Sequence, residues 1–226
     1  MLYLDSVGER SPQAAVRPGQ YRSALDFAIR ALDILIAICA LIAIGPFLVI
    51  VASSIFLTDG GAPVFAHQRV GRGGRSFGCL KFRTMVSGSQ HKLDELLARD
   101  PAARAEWERD HKLRNDPRVT RLGRFYRKAS IDELPQLINV LRGEMSIVGP
   151  RPIVNAERAR YGRYFATYCS VTPGITGIWQ VCGRNDVSYR RRIACDVLYA
   201  RSRSFRRNIS IIVMTVPAVL KSEGSY

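Results

Sequence analysis

The sequence has 226 residues and a formal net charge of +15, from 34 lysines and arginines against 19 aspartates and glutamates. This length allows one large domain, or a membrane segment followed by a domain of roughly 150 residues. The basic charge indicates an anionic partner, such as nucleic acid, lipid headgroups or a phosphorylated substrate, whereas five scattered cysteines without a CxxC pair argue against a disulfide framework or a structural zinc site.

The first marked feature along the chain is an uncharged stretch of 24 residues, 34–57. As a helix it would extend about 36 Å, enough to cross a hydrocarbon core of about 30 Å. However, Gly45 and Pro46 interrupt it at the midpoint, and arginines flank it on both sides, so the positive-inside rule favours neither end for export. Two interpretations remain open at this point: a proline-kinked single span, and a re-entrant hairpin that enters and leaves by the cytoplasmic leaflet.

A β-hairpin and a charged helical insertion are predicted next. Residues 62–84 have the pattern of two short strands joined by the glycine-rich turn Gly71–Gly74. Residues 89–113 have the pattern of a solvated helical insertion broken at Asp100-Pro101. Thr120 is predicted to cap a short basic helix that lies on anionic headgroups or covers the core.

The C-terminal third is predicted to be largely helical. Residues 153–168 are aromatic-rich with helical spacing, residues 173–186 are loop-like, and residues 188–201 are again helical. The apolar stretch 209–220 has 12 residues, too few to span a bilayer. We therefore expect it to pack on the domain or to lie at the membrane interface.

The stretch 127–152, RKASIDELPQLINVLRGEMSIVGPRP, contains an adjacent acid pair, Asp132 and Glu133. Ser130 and Glu133 have the S-x-x-E spacing of a capping box, which would make Glu133 a helix cap and nothing more. The alternative is an anion pocket, in which a carboxylate beside arginines binds Mg²⁺ or attacks a phosphorus atom. The residues alone leave both interpretations open. The basic residues that favour the pocket are Arg127, Lys128, Arg151 and Arg184.

Three blocks of sequence together resemble one known family. They are KFRTM (81–85), NDPRVTRLGRFYRKASIDELPQLINVLRGEMSIVGPRP (115–152) and PGITGIWQVCGRNDVSYRRR (173–192). Their order and content are similar to those of the bacterial sugar transferases of the monotopic phosphoglycosyl transferase superfamily. Within that family the chain most resembles the undecaprenyl-phosphate galactose phosphotransferases of exopolysaccharide synthesis.

The resemblance implies a reaction and a set of site residues. The family transfers a sugar 1-phosphate from a UDP-sugar, here UDP-galactose or UDP-glucose, to undecaprenyl phosphate, releasing UMP. By resemblance, Asp132 would be the nucleophile that forms an aspartyl phosphosugar intermediate and would also contact Mg²⁺, with Glu133 as its dyad partner. The remaining residues that match the family's substrate and phosphate site are Lys81, Arg127, Arg151 and Arg184.

The resemblance also favours the re-entrant hairpin and implies the architecture. The expected fold is α+β and mostly helical: a kinked re-entrant membrane helix, a β-hairpin, and a small cytosolic helical catalytic domain with interfacial amphipathic helices. The expected organisation is a flexible segment over residues 1–22, the membrane helix over residues 23–58 with its kink at Gly45-Pro46, and a cytosolic phosphoglycosyl transferase domain over residues 59–226. The expected location is the bacterial inner membrane, with the domain and both termini in the cytoplasm.

Three features depart from the family pattern: Gly45, Cys182, and the unusually basic run Arg190–Arg192, for which a solvated helix face is favoured over headgroup contact. Gly45 stands where relatives often have serine before the proline, and Cys182 replaces a common asparagine.

The expected partners are the UDP-sugar, undecaprenyl phosphate and membrane lipid but no nucleic acid, with homo-oligomerisation left open. The alternative functions are a membrane-tethered nucleic-acid binder and a non-enzymatic subunit of polysaccharide assembly; neither explains the acid pair.

Overall fold

The computed structural model describes residues 24–110, 113, 116–182 and 188–220. The expected flexible segment over residues 1–22 and the predicted phosphate-binding Arg184 lie outside the described residues. In the described part the chain is mostly helical, with two small two-stranded sheets. The expected α+β, mostly helical class is therefore confirmed.

The first helix, α1, runs from Ala24 to Asp59 with Pro46 inside it. It is long and apolar enough to cross a membrane, and few residues of its most apolar segment are buried in the protein. Together these properties indicate membrane association. The helix is assigned without a break through Gly45 and Pro46. Its exposed apolar side chains extend along its length, from Phe27 through Ile42 to Leu57.

The predicted β-hairpin is confirmed. Strands β1 (Val64–Val70) and β2 (Ser76–Phe82) pair antiparallel, with Val64 opposite Phe82 and Val70 opposite Ser76. A short 3₁₀ turn, Arg72–Gly74, joins them, and Gly73 and Gly74 take positive φ angles that other residues rarely adopt. The glycines of this turn are therefore explained by hairpin geometry.

The remaining helices follow the predicted order, and the sequence missed the small sheet formed by residues 146–148 and 174–176. Residues 173–186 were expected to form a loop, but they include a strand and a short helix. The strand was not visible in the sequence because it has three residues and depends on a distant partner: the Ser146 N–H donates to the Pro173 carbonyl (2.8 Å), and the Gly149 N–H donates to the Thr176 carbonyl (2.8 Å). The elements are α2 (Ser89–Arg99), α3 (Pro101–Asp110), α4 (Arg121–Lys128), α5 (Gln136–Arg142), β3 (Ser146–Val148), α6 (Arg158–Tyr161), α7 (Phe165–Cys169), β4 (Gly174–Thr176), α8 (Ile178–Cys182), α9 (Tyr189–Ser202) and α10 (Phe205–Leu220).

Two of the predicted helix signals are confirmed by hydrogen bonds. The Thr120 hydroxyl accepts from the Gly123 N–H (2.8 Å) at the start of α4. At the predicted break between α2 and α3, the Asp100 carboxylate accepts from the N–H groups of Ala102 and Ala103 (2.8 and 3.1 Å). Both are N-cap bonds, which satisfy backbone donors that have no partner inside the helix.

Helix α1 packs on the rest of the protein along both of its halves. In the first half, Ala37 lies in the main core with residues of α5 and β3. In the second half, Val51 and Ile55 pack with Phe82 and Tyr126. One side of the helix therefore packs on the domain along both halves, while most of its apolar surface stays exposed.

Polar contacts reinforce each end of this packing. Near the N-terminal end, the Arg30 guanidinium donates to the Val140 and Leu141 carbonyls at the end of α5 (2.5 and 2.9 Å). Near the C-terminal end, the Ser54 hydroxyl hydrogen-bonds the Tyr126 hydroxyl (2.7 Å), and Asp59 pairs with Arg83. Both ends of α1 are therefore fixed to the same body.

Candidate active site

The acid pair does not open a helix, so the predicted capping box is wrong. Ser130 takes a left-handed conformation (φ 57°) and makes no capping bond, and residues 131–133 form a single 3₁₀ turn. The reason is Pro135, which has no backbone N–H to donate to the Ile131 carbonyl and delays the start of α5 to Gln136. Glu133 is thereby released from capping and is available to other groups.

Lys81 of β2 holds the acid pair. Its Nζ lies 2.6 Å from Glu133 Oε1 and 3.7 Å from Asp132 Oδ2. The side chains of Lys81 and Asp132 are only 17% and 13% exposed. Because charge-assisted hydrogen bonds strengthen away from water, this three-residue cluster fixes the dyad to the β-hairpin.

A buried amide supports the same junction between β2 and α5. The Asn139 side chain accepts from the Leu80 N–H (2.9 Å) and donates to the Gly78 carbonyl (2.8 Å) and to Glu144 (2.6 Å). Asn139 is fully buried. Its side-chain amide thus bonds the backbone groups at the edge of β2 that a further strand would bond, next to Lys81.

The two carboxyl groups of the pair have opposite electrostatic environments. Burial raises the pKa of Asp132 and the charge of Glu133 raises it further, while Lys81 and Arg127 oppose this rise. Burial also acts to raise the pKa of Glu133, but Lys81 and Arg151 outweigh it and the pKa is lowered. Glu133 is therefore the carboxyl of the pair that favours the ionised form, and Asp132 is the carboxyl whose charge gains most from an added cation.

Arg127 and Arg151, predicted from the sequence, both lie by the dyad. Arg127 Nε, at the end of α4, donates to the Thr84 hydroxyl (2.8 Å). Burial lowers the pKa of Arg127, and the negative charge of Asp132 opposes that change. Arg151 lines the same cleft as Lys81 and Glu133. The three predicted basic site residues that the structure describes, Lys81, Arg127 and Arg151, are thus all brought to the acid pair.

The cleft beside Glu133 is small and strongly polar. Its volume is about 60 Å³, and its charged and amide side chains are Arg69, Lys81, Glu133, Gln136, Arg151 and Gln180. Three cations face one carboxylate of the dyad there. Such an excess of positive charge suits a phosphate-bearing ligand.

Arg69 is a cleft residue that sequence reasoning missed. Its guanidinium donates to the Pro152 carbonyl (3.2 Å). Arg69 lies opposite Phe77 in the hairpin register, and Lys81 lies four residues further along that strand. Because side chains two and four residues apart share a strand face, this register places Arg69 and Lys81 on one face. The alternation of side chains along the predicted hairpin could therefore have identified Arg69 as a cleft residue.

The turn that carries Arg151 is fixed by buried side chains from distant elements. The Tyr199 hydroxyl donates to the Val148 carbonyl (2.8 Å), and the Tyr168 hydroxyl accepts from the Ile153 N–H (3.2 Å). A third buried group, Asp196, accepts from the Tyr161 hydroxyl (2.7 Å). None of these was identified from the sequence, because each acts through tertiary contacts.

The donor atoms of the dyad are compatible with Mg²⁺. Within the described residues, no group of three or more histidine, cysteine, aspartate or glutamate side chains is placed to hold a metal ion. Mg²⁺, however, is commonly bound by one or two carboxylates, with substrate phosphates and water as its other ligands. Asp132 and Glu133 supply such a pair of carboxylates beside the cleft.

Comparison with known proteins gives a consistent set of matches. A family model described as "Bacterial sugar transferase" matches residues 24–222. The chain is 52% identical over 202 residues to the UDP-galactose-lipid carrier transferase of Erwinia amylovora, and 50% identical over 200 residues to the undecaprenyl-phosphate galactose phosphotransferase of Salmonella typhimurium. It is 48% identical over 197 residues to the exopolysaccharide production protein ExoY of Sinorhizobium fredii.

The matches cover different shares of these relatives. The alignments include 88% of this chain but only 42% of the Erwinia and Salmonella proteins, so the chain spans less than half of their length. For the Sinorhizobium protein the alignment covers 87% of each chain. The described site residues all lie inside the region matched by the family model.

Asp196 makes the stability of the fold depend on pH. Burial raises its pKa from 3.8 to about 7, although Tyr161 and Arg151 stabilise the charged form. Because the folded-state pKa is raised, this group's contribution to stability is complete below pH 3.8 and is lost as the pH rises through about 7.

We therefore predict that the free energy of unfolding of the wild type falls by about 2–3 kcal/mol between pH 5 and pH 8 because of this group. The Asp196→Asn variant should not show this decrease. The measurement is thermal unfolding of the purified protein in detergent at both pH values. Tyr161→Phe retains the carboxyl group but removes a hydrogen bond to its charged form, so its stability should fall with pH at least as steeply as that of the wild type. Parallel pH profiles for the wild type and Asp196→Asn would contradict the prediction.

Proposed function

The chain belongs to the bacterial sugar transferase family, and we propose that it transfers a sugar 1-phosphate from a UDP-sugar to undecaprenyl phosphate, releasing UMP. The donor is UDP-galactose or UDP-glucose, in line with the names of relatives that act on each. The product, undecaprenyl-diphosphate-sugar, would be the first membrane intermediate of exopolysaccharide synthesis. The non-enzymatic alternatives draw no support from these relatives.

The observation that carries the proposal is the partly buried acid pair at a basic cleft. A lysine bonded to both carboxylates, with Arg127 next to Asp132 and Arg151 facing Glu133, provides an acid within a cationic pocket. A carboxylate repels a phosphodiester anion in water. Surrounding cations remove that repulsion, so nucleophilic attack on phosphorus becomes feasible.

The reaction is proposed to occur in two steps on one carboxylate. In the first, an Asp132 oxygen attacks the sugar-bearing phosphorus, the bond from that phosphorus to the bridging oxygen breaks, and UMP leaves with the electron pair. In the second, a phosphate oxygen of undecaprenyl phosphate attacks the same phosphorus and displaces the Asp132 carboxylate. The enzyme is thereby regenerated, and no external oxidant or reductant is needed.

The basic residues have separate roles in these steps. Lys81 holds Glu133 ionised and the dyad in place, whereas Arg127 and Arg151 offer guanidinium groups to the phosphates. Asp132 and Glu133 would also hold Mg²⁺, whose chemistry when bound is to neutralise charge on the diphosphate. Arg184 remains proposed from family resemblance as an anion-binding residue at the nucleotide end.

We also propose that α1 is a re-entrant membrane helix. A helix of 36 residues is about 54 Å long, and both of its halves pack on the same charged domain. A helix that crossed the bilayer while keeping these contacts would draw charged residues such as Arg30 and Asp59 with their partners into hydrocarbon, which is costly. Entry and exit on the cytoplasmic side avoid this cost and place the catalytic domain at headgroup depth.

Two further helices support a position at the interface. On α4, Phe125 is 60% exposed and lies among the exposed side chains of Arg121, Arg124 and Lys128. On α10, Val213 and Val216 are similarly exposed. An apolar side chain among basic ones suits the boundary between acyl chains and anionic headgroups. The proposed location is the bacterial inner membrane, with the catalytic domain and both termini in the cytoplasm.

The first prediction concerns the nucleophile. With Mg²⁺, a polyprenyl phosphate and a panel of UDP-sugars, Asp132→Asn should lower UMP release at least 10³-fold, because an amide oxygen cannot form the intermediate. Arg190→Ala, on the exposed start of α9, should retain turnover within about twofold. If the wild type releases no UMP with any donor in the panel, the proposed function is wrong.

The second prediction concerns topology. Cysteines placed at Ala24 and at Thr58, near the two ends of α1, should both resist a membrane-impermeant maleimide in intact cells and both react in inside-out vesicles. A single span would place the two positions on opposite sides of the membrane. Labelling of either position alone in intact cells would contradict the re-entrant helix.

A further inference from the structure

We propose that Arg192 and Arg151 form a two-arginine clamp beside Trp179 that binds a diphosphate. This inference rests on the proposed function and adds a residue to its donor site. The guanidinium carbon of Arg192 lies 4.7 Å from the centre of the Trp179 ring, and that of Arg151 lies 5.7 Å from the same centre. One buried indole therefore orders two cationic side chains from different elements.

The two guanidinium groups are close enough to act on one ligand. Since both contact the same ring, their central carbons are separated by at most about 10 Å. Arg151 comes from the turn after β3, Trp179 from α8 and Arg192 from the first turn of α9. The planar guanidinium group offers paired N–H donors, which match the oxygens of a phosphate.

The positive charge of this pair is not balanced by a direct ion partner. Across the ranges that the structure describes, neither Arg151 nor Arg192 forms an ion pair with a carboxylate, and Arg192 Nε is buried without a hydrogen-bond partner. Burial lowers the pKa of Arg192 and the nearby charge of Arg151 lowers it further, while the charges of Glu157 and Asp196 act in the opposite direction. Two adjacent cations that raise each other's energy in the free protein are stabilised when an anion binds between them.

Neighbouring polar atoms also lack partners. Trp179 Nε1 and Gln180 Oε1 are buried and make no hydrogen bond to the described residues. Gln180 lines the cleft together with Arg151 and Glu133. Because buried polar groups normally have partners, these atoms mark a position where a polar ligand completes the site. A diphosphate held there would lie over the dyad.

The adjacent arginines provide matched controls. Arg190 and Arg191 precede Arg192 in the sequence but are exposed, and neither contacts Trp179. A general electrostatic effect would be similar for all three residues. A clamp requires Arg192 alone, because only its side chain reaches the ring that orders Arg151.

The direct test measures binding of inorganic diphosphate by tryptophan fluorescence. The chain has two tryptophans, so Trp107→Phe leaves Trp179 as the only reporter. In that background diphosphate should change the emission, Arg192→Gln should weaken binding at least 10-fold, and Arg190→Gln should change it by less than twofold. Arg192→Lys keeps the charge without the planar donors and should recover only part of the affinity. If Arg192→Gln does not fold, as judged by thermal unfolding, Arg192→Lys provides the comparison.

Steady-state kinetics identify which substrate phosphate is bound. If the clamp binds the donor diphosphate, Arg192→Gln should raise the KM for the UDP-sugar about 10-fold, with smaller changes in kcat and in the KM for undecaprenyl phosphate. A rise confined to the KM for undecaprenyl phosphate would assign the clamp to the lipid phosphate. Equal losses in Arg192→Gln and Arg190→Gln, or no diphosphate signal in the wild-type site, would overturn the clamp. UMP release by the wild type would then leave the proposed function standing.

Discussion

The ion cluster of Lys81 with Asp132 and Glu133 is the interaction on which the site depends. It joins the β-hairpin to the 3₁₀ turn before α5 across 2.6 and 3.7 Å contacts. A buried charge is stable only with a partner, so loss of Lys81 would leave two adjacent carboxylates that repel each other. With Lys81 present, one carboxyl is kept ionised and the other keeps a raised pKa, which makes it responsive to the charges of an incoming ligand.

Helix α1 connects this cluster to the membrane through short polar links. Asp59, at the end of α1, pairs with Arg83, and the adjacent Thr84 accepts from Arg127 beside the dyad. At its other end Arg30 binds the last carbonyls of α5, the helix that follows the dyad. The long apolar helix and the turn that carries Asp132 therefore belong to one packed body. Under the proposed function, this arrangement would hold a site for a water-soluble donor and a lipid acceptor at a fixed depth.

The sequence predicted the features that depend on local chemistry and missed those that depend on tertiary contact. The hairpin, the break at Asp100 and the Thr120 cap were predictable, because turn and cap residues act on their immediate neighbours. The capping box was wrong, although Pro135 could have excluded it. Strand β4, the cleft position of Arg69 and the stacking of Arg192 on Trp179 could not be read locally, since each requires a partner many residues away.

The most direct test of the account is to locate the covalent intermediate. Wild-type protein would be mixed with UDP-sugar and Mg²⁺ without acceptor, quenched, digested with trypsin and analysed by mass spectrometry. Cleavage after Lys128 and Arg142 yields a peptide whose only acidic side chains are Asp132 and Glu133. The account predicts a sugar-phosphate mass on this peptide, assigned by fragmentation to Asp132 and removed by added undecaprenyl phosphate. A sugar-phosphate on Glu133 or on another peptide would contradict it.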